Sequence, residues 1–247
     1  MHILVTRPEA DAAGLAAQLT ALGHTVSVDP LLQISPLPVP ADALEGAGGL
    51  IATSRNGLRA LAQSPALETA RRLPLIAVGS ATAELAREIG FTDITTGEGT
   101  AVSIVPLIEE MARRQPGALV HIRGEVVAYD LAAALAPRGI DLRGVIVYRA
   151  TPADSLQAST KDLLTRGAID AVILMSPRTG ATFARLAEAG GLAAPARKPV
   201  LICLSPAVAT AVEPLRPERV EVTERPDSAA VLAAVTRVAT LWSGLIG

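Results

Sequence analysis

The chain has a single cysteine, Cys203, so it can form neither an intramolecular disulfide nor a cysteine-built metal cluster. Its three histidines, His2, His24 and His121, are too scattered for a zinc-ligand spacing. Aromatic residues are scarce as well: Phe91, Phe183, Tyr129, Tyr148 and Trp242 are the full set. Nucleic-acid modules that stack bases on exposed rings need more of them. Neither sign of charge dominates, with 24 acidic against 22 basic residues, so no overall basic field draws a polyanion from a distance. Long apolar runs are missing. AVILM and PVLICL have strand length, far short of the ~20 residues of a membrane helix. The opening MHILVTRPEA lacks the basic stretch and apolar core of an export signal. The expectation is a cytoplasmic protein with neither a membrane nor a nucleic-acid partner.

What is present is aliphatic. Half of the 247 residues are hydrophobic and 19% are charged, a composition that buries a core. The length fits one large domain or two small ones. Short β-branched runs at 2–6, 25–30, 48–53, 74–79, 93–96, 118–123, 141–150, 170–176, 199–205 and 219–224 alternate with Ala/Leu-rich stretches. Leu15, Leu19 and Leu22 show the helical spacing of the latter. This alternation predicts an α/β protein with open parallel sheets covered on both faces.

The chain also repeats itself. VTRPEADAAGLAAQLTALGHTV aligns without a gap on HIRGEVVAYDLAAALAPRGIDL, so Arg7 meets Arg123 and Glu9 meets Glu125. GGLIATSRNGLRAL aligns with DAVILMSPRTGATF, bringing Ser54 onto Ser176, and LIAVGSATAELA aligns with LICLSPAVATAV. A weaker pair is TTGEGTAVSIV with VTERPDSAAVL. Each block reads strand, short polar turn, helix. A tandem duplication would cut the chain near residue 110. A crossed arrangement instead treats the extended, Pro-rich segments at 31–39 and 145–153 as linker strands. Residues 1–30 and 154–247 then form one discontinuous domain and 40–144 the other.

Every repeated block ends its strand at a small polar turn before a helix, and ligands of open α/β sheets bind at that edge. Helix N-termini there offer unpaired N–H groups suited to carboxylate or phosphate. The candidates are Thr6–Arg7–Pro8, Ser54–Arg55–Asn56–Gly57, Gly79–Ser80–Ala81–Thr82, Arg123–Gly124, Ser176–Pro177–Arg178–Thr179 and Ser205–Pro206–Ala207. Plain N-capping by Ser and Thr explains any one of these alone. Six of them on two similar units fit a ligand carrying several acids, held in one cleft between domains. TGEGTAV lacks the third glycine of a dinucleotide fingerprint, and neither a Walker A loop nor G-x-S-x-G occurs. Cys203 and Trp242 read as packing residues, and Asp93 and Asp170 as turn residues. Tyr148 ends VIVYR beside a linker segment and reads equally as a half-buried strand tyrosine or a functional one. A hinged two-domain protein that only binds a small polyacid would share all of these features.

In order along nearly the whole chain, ILVTRP, ATSRNGLRAL, AVGSATAELA, HIRGE, VIVYRATP and LMSPRTGATF resemble the uroporphyrinogen-III synthase family. At Ser205, LICLSPAVATA departs from the family's commoner turn. The resemblance implies two similar open parallel-sheet, flavodoxin-like domains joined by a two-stranded linker. It implies cofactor-free cyclisation of the linear tetrapyrrole hydroxymethylbilane to uroporphyrinogen III, with the last ring inverted and water lost; the chain is expected to act as a monomer. Tyr148 matches the family's linker tyrosine, which makes it the candidate general acid or hydrogen-bond donor. Backbone donors at the six polar turns would hold the substrate's acetates and propionates.

Overall fold

The computed structural model describes residues 1–246, with side chains described as far as Leu241. In chain order the elements are β1 (His2–Val5), α1 (Glu9–Ala21), β2 (Thr25–Val28), β3 (Leu32–Pro36), β4 (Ala47–Ala52), α2 (Arg55–Ala62), α3 (Leu67–Ala70), β5 (Leu75–Ala77), α4 (Ser80–Glu88), β6 (Ile94–Thr96), α5 (Val105–Arg114) and β7 (Ala118–Gly124). They continue with α6 (Leu131–Leu135), β8 (Leu142–Pro152), α7 (Ala158–Thr165), β9 (Ala171–Leu174), α8 (Pro177–Ala189), α9 (Ala193–Ala196), β10 (Val200–Cys203), α10 (Pro206–Val212), β11 (Val220–Val222) and α11 (Ser228–Ile246). The chain divides into two compact units. One comprises Met1–Gln33 with Thr151–Gly247, the other Ile34–Ala150.

The first unit holds a sheet in the order β2-β1-β9-β10-β11, every neighbour parallel. Counted within the unit this is the doubly wound order 2-1-3-4-5 of flavodoxin-like folds. The second holds β6-β5-β4-β7-β8-β3, in which β6 through β8 are parallel. Read as β8-β7-β4-β5-β6, it repeats the first sheet strand for strand. Arg7 follows β1, whereas Arg123 and Gly124, expected as a turn, are the last two residues of the equivalent strand β7, and no helix begins before Leu131; Ser176 and Ser54 follow equivalent strands β9 and β4. The second unit is thus the same sheet begun at a different strand.

The apolar runs explain the layers. Successive strand side chains point to opposite faces, so Leu4, Val172, Leu174, Leu201 and Cys203 share one core with α8 and α10 residues such as Phe183 and Val208. Ile3, Val5, Ile173 and Ile202 face Leu15, Leu19, Val231 and Val235 of α1 and α11. In the second unit Leu50, Ala52, Val120 and Ile122 pack with Leu58 and Leu61 of α2. Ile51, Ile76 and Leu119 pack with Ile108 and Leu131 of α5 and α6. Each fully buried Leu or Ile contributes about 1.5–3 kcal/mol. Cys203 is wholly buried in this packing, and burial pushes its thiol up to about 12. The packing role read for Trp242 lies outside the described side chains.

Two strands, β3 and β8, carry the chain between units and lie side by side at the sheet edge, with Leu37 N–H donating to Val147 O at 2.8 Å. Where the chain returns to the first unit, Ala153 N–H donates to Leu31 O and Gln157 N–H to the buried Asp29 carboxylate, at 3.0 and 2.9 Å. Asp170 does more than turn the chain. Its carboxylate accepts from His2 N–H at 2.7 Å and its own N–H donates to His2 O at 2.9 Å, which locks the start of β1 against the start of β9.

Candidate functional site

In each unit the parallel strands bring their polar turns to one edge, the C-terminal one. In the first unit the switch point lies between β1 and β9, because β2 continues to one side and β10 to the other. Arg7 and Ser176 flank it. Ser176 caps α8: its Oγ accepts Thr179 N–H at 3.1 Å and lies 2.8 Å from the Thr179 hydroxyl. Pro177 takes the first helical position and half-exposed Arg178 follows. Thr179 is buried and its hydroxyl is turned to Ser176. Arg7 pairs with Asp11 at 3.4 Å. Thr6 is wholly buried and its hydroxyl donates to Ile173 O at 2.7 Å, so its side chain ties β1 to β9 and does not line a surface. Ser205 precedes α10 without a side-chain cap.

In the second unit the switch point lies between β4 and β7. Ser54 caps α2 by accepting Asn56 N–H at 3.1 Å, and Asn56 Oδ1 accepts from Arg59. Arg55 stands half-exposed at the first helical position. Gly57 is a packing glycine: a Cβ there would sit 3.1 Å from Ile122 O, so its absence lets the start of α2 lie on β7. Gly79 begins α4 with no side-chain cap, leaving first-turn N–H groups open, with Ser80 and Ala81 exposed. Thr82 is buried, so it points into the protein. The glycines of TGEGT serve close approach; a Cβ on Gly97 would lie 2.9 Å from Val78 O.

Tyr148 sits beside this second switch point. It pairs with Gly124 across a register shift at the end of β7. A Cβ on Gly124 would come within 2.7 Å of the Tyr148 Cζ and 3.0 Å of its hydroxyl, so the ring lies across the glycine. Tyr148 packs against the same apolar cluster as Leu58 and Ile122, which puts it on the α2 face of the sheet. Its hydroxyl makes no hydrogen bond among the described residues. Next to it, Arg149 and Glu125 form a bidentate pair at 2.8 and 2.9 Å, and that bonding raises the Arg149 pKa. On the opposite face Arg123 donates to the carbonyls of Gly124 and Glu125 at 3.2 and 3.4 Å. A broad hollow of about 720 Å³ lies at the other edge of this sheet, beside Gly117, Arg138 and Asp141, away from the turns. Among the described residues no His, Cys, Asp or Glu group is placed to hold a metal ion, and no helix is long and apolar enough to cross a membrane.

Residues 13–233 match the family model for uroporphyrinogen-III synthase HemD. The chain belongs to the uroporphyrinogen-III synthase family. It is thereby an enzyme of porphyrin biosynthesis, a cyclising lyase acting on a linear tetrapyrrole. Among solved structures, a mutant uroporphyrinogen III synthase from the extremely thermophilic bacterium Thermus thermophilus is 21% identical, with TM-score 0.61 over 97% of this chain and 99% of that one. Uroporphyrinogen-III synthetase from Helicobacter pylori is 18% identical, with TM-score 0.64 over 96% of this chain and 100% of that one. At those identities the likeness speaks for the two-domain fold. No curated protein matches.

Within this synthase-family fold, the pair His121–Thr53 is one that no motif in the sequence marks; its Nε2 and Oγ1 lie 2.8 Å apart, joining β7 to the end of β4. Burial and the nearby Arg123 charge lower the His121 pKa from 6.5 to about 4, against a smaller opposing pull from Asp130. The signal was the spacing: His121 stands two residues before Arg123, which on a strand is the same face.

Proposed function

We propose that the protein closes hydroxymethylbilane to uroporphyrinogen III and that Tyr148 assists departure of the substrate's hydroxyl. The family match over residues 13–233 is the observation that carries the reaction. The placement of Tyr148 at the C-terminal edge, with no hydrogen bond to its hydroxyl from a described residue, supports its part.

The chemistry runs in four steps. The C–O bond of the terminal hydroxymethyl group breaks, and oxygen leaves as water with a proton donated or shared by the Tyr148 hydroxyl. The azafulvene cation left behind is attacked by the last pyrrole through its substituted carbon, giving a spiro intermediate. That intermediate fragments and recloses with the ring inverted. The final loss of a ring proton restores the pyrrole and returns the proton taken at the start.

A phenol is a weak acid at neutral pH, so its share is modest, about 10²-fold. Holding the flexible chain so that the unsubstituted carbon cannot close first is the larger task. In this proposal the substrate's acids are held at the turns of Arg7, Ser54–Gly57, Gly79–Ala81, Ser176–Arg178 and Ser205, chiefly by backbone N–H groups, and beside the end of β7 at Arg123–Gly124. Thr6, Thr82 and Thr179 contribute main chain only. The protein acts as a cytoplasmic monomer, which sedimentation at assay concentration checks.

The deciding assay supplies enzymatically generated hydroxymethylbilane and resolves the III from the I isomer. Dominant III product is the expected result. Product I alone, formed at the rate seen without protein, would overturn the reading.

A further inference from the structure

One polar group in the second unit has no part in these roles. His121 is 4% exposed on the face of β7 covered by α5 and α6. Its Nε2 meets Thr53 Oγ1, while its Nδ1 has no partner among the described residues. Among those residues no buried side-chain nitrogen or oxygen lacks a hydrogen bond. Solvent therefore reaches Nδ1, and it does so through a cavity of about 170 Å³ walled by His121, Arg123, Tyr129, Asp130 and Gly144.

The wall is chemically specific. Arg123 bonds only backbone carbonyls and has no carboxylate partner among the described residues. Gly144 makes room for it, since a Cβ there would lie 2.7 Å from Arg123 Nε. Asp130, the one acid, caps α6 by accepting Ala133 N–H at 3.0 Å, so the helix terminus opposes its charge. Tyr129, one of only two tyrosines, stands 37% exposed at the lip.

We propose that this pocket is a subsite for one acid-bearing pyrrole of the substrate: its carboxylate accepts from His121 Nδ1–H and the Arg123 guanidinium, and its ring lies against Tyr129. The inference rests on the function proposed above. The volume admits one carboxymethyl or carboxyethyl arm and excludes the rest of a tetrapyrrole. Thr53 makes the arrangement work. When its hydroxyl donates to Nε2, a neutral imidazole must carry its proton on Nδ1, facing the cavity.

The test uses the full chain and a monopyrrole carrying one acetate and one propionate, with the dimethyl ester of that pyrrole as control. The reporter is the ¹⁵N signal pair of the His121 ring. The diacid is expected to shift both signals saturably and to fix the proton on Nδ1, while the ester leaves them in place. Arg123→Met is expected to weaken diacid binding about tenfold, as loss of a charge-assisted bond does. Tyr129→Ala, at an exposed position, is expected to raise KM for the linear tetrapyrrole several-fold more than it lowers kcat. Ring signals indifferent to the diacid, or equally moved by the ester, would overturn the subsite even if the protein makes the III isomer. A diacid response from protein that makes no III isomer would remove the proposed function and leave a diacid pocket.

Discussion

Gly124 and Tyr148 are strand partners, and the tyrosine ring occupies the space a side chain on Gly124 would need. The glycine thus sets where the phenol stands. Gly124→Ala should push the ring off the sheet edge, because the hypothetical Cβ falls 2.7 Å from Cζ. Loss of turnover in the alanine variant, with the melting temperature near that of the parent, is the expected result.

Tyr148→Phe keeps the ring and deletes the hydroxyl. Single-turnover rate should fall by about 10²-fold while substrate affinity stays close to the parent value, the pattern of a contact made mainly in the transition state. Product should remain the III isomer, because ring inversion depends on how the last pyrrole is held. An unchanged rate would take Tyr148 out of the mechanism.

The polar turns separate into two kinds of residue. Ser54→Ala and Ser176→Ala each remove a cap and should cost about 1 kcal/mol of stability, with turnover little changed because backbone N–H groups remain. Thr6→Val deletes the bond to Ile173 O and should likewise register in denaturant unfolding and leave KM alone. Abolished turnover in any of these folded variants would show that its hydroxyl binds substrate directly.

His121 ties stability to pH. Its folded pKa, about 4, lies below the ordinary 6.5. The unfolded chain therefore binds the proton more readily, and stability is full above pH 6.5, falls as pH drops toward 4 and levels off below. The contribution lost is roughly 3 kcal/mol. Urea unfolding between pH 7 and 4 should show this slope in the parent and a shallower one in His121→Gln, whose amide can keep a bond to Thr53.

Cys203 should resist thiol reagents in the native protein, since burial holds the thiol protonated with its pKa pushed up to about 12. Labelling should appear only as denaturant unfolds the first unit. Rapid labelling of folded protein would contradict the packing at β10.

Strand positions were legible because central parallel strands such as Val172–Leu174 and Leu201–Cys203 are buried on both faces and so read as unbroken apolar runs. The repeated blocks were legible for the same reason, and they fall on equivalent strands. Side-chain direction was not. Thr6 and Thr82 belong to polar turns in sequence, yet one closes onto Ile173 and the other points inward. Nothing local distinguishes them from Ser54. His121 was hidden by its place among apolar neighbours, where a buried histidine looks like any strand residue. Its partner Thr53, just past the end of β4, is 68 residues away, a contact that only the sheet order reveals.

The sheet order also dictates a sequence of events at the ribosome. Ile3, Leu4 and Val5 leave the tunnel early, but the neighbour on their second side, Ala171–Ile173, is made after the whole of Ile34–Ala150. At about 5–20 residues per second, that wait is roughly 10–30 s. During it β1 has only β2 and α1, and Leu4, which ends wholly buried in the core shared with α8 and α10, stays open to water and to other chains. The intervening unit, contiguous in sequence, can finish folding within the same interval. Newborn protein is therefore exposed to misassociation at β1, and slowing translation ahead of residue 171 should lengthen that exposure without disturbing the unit already complete.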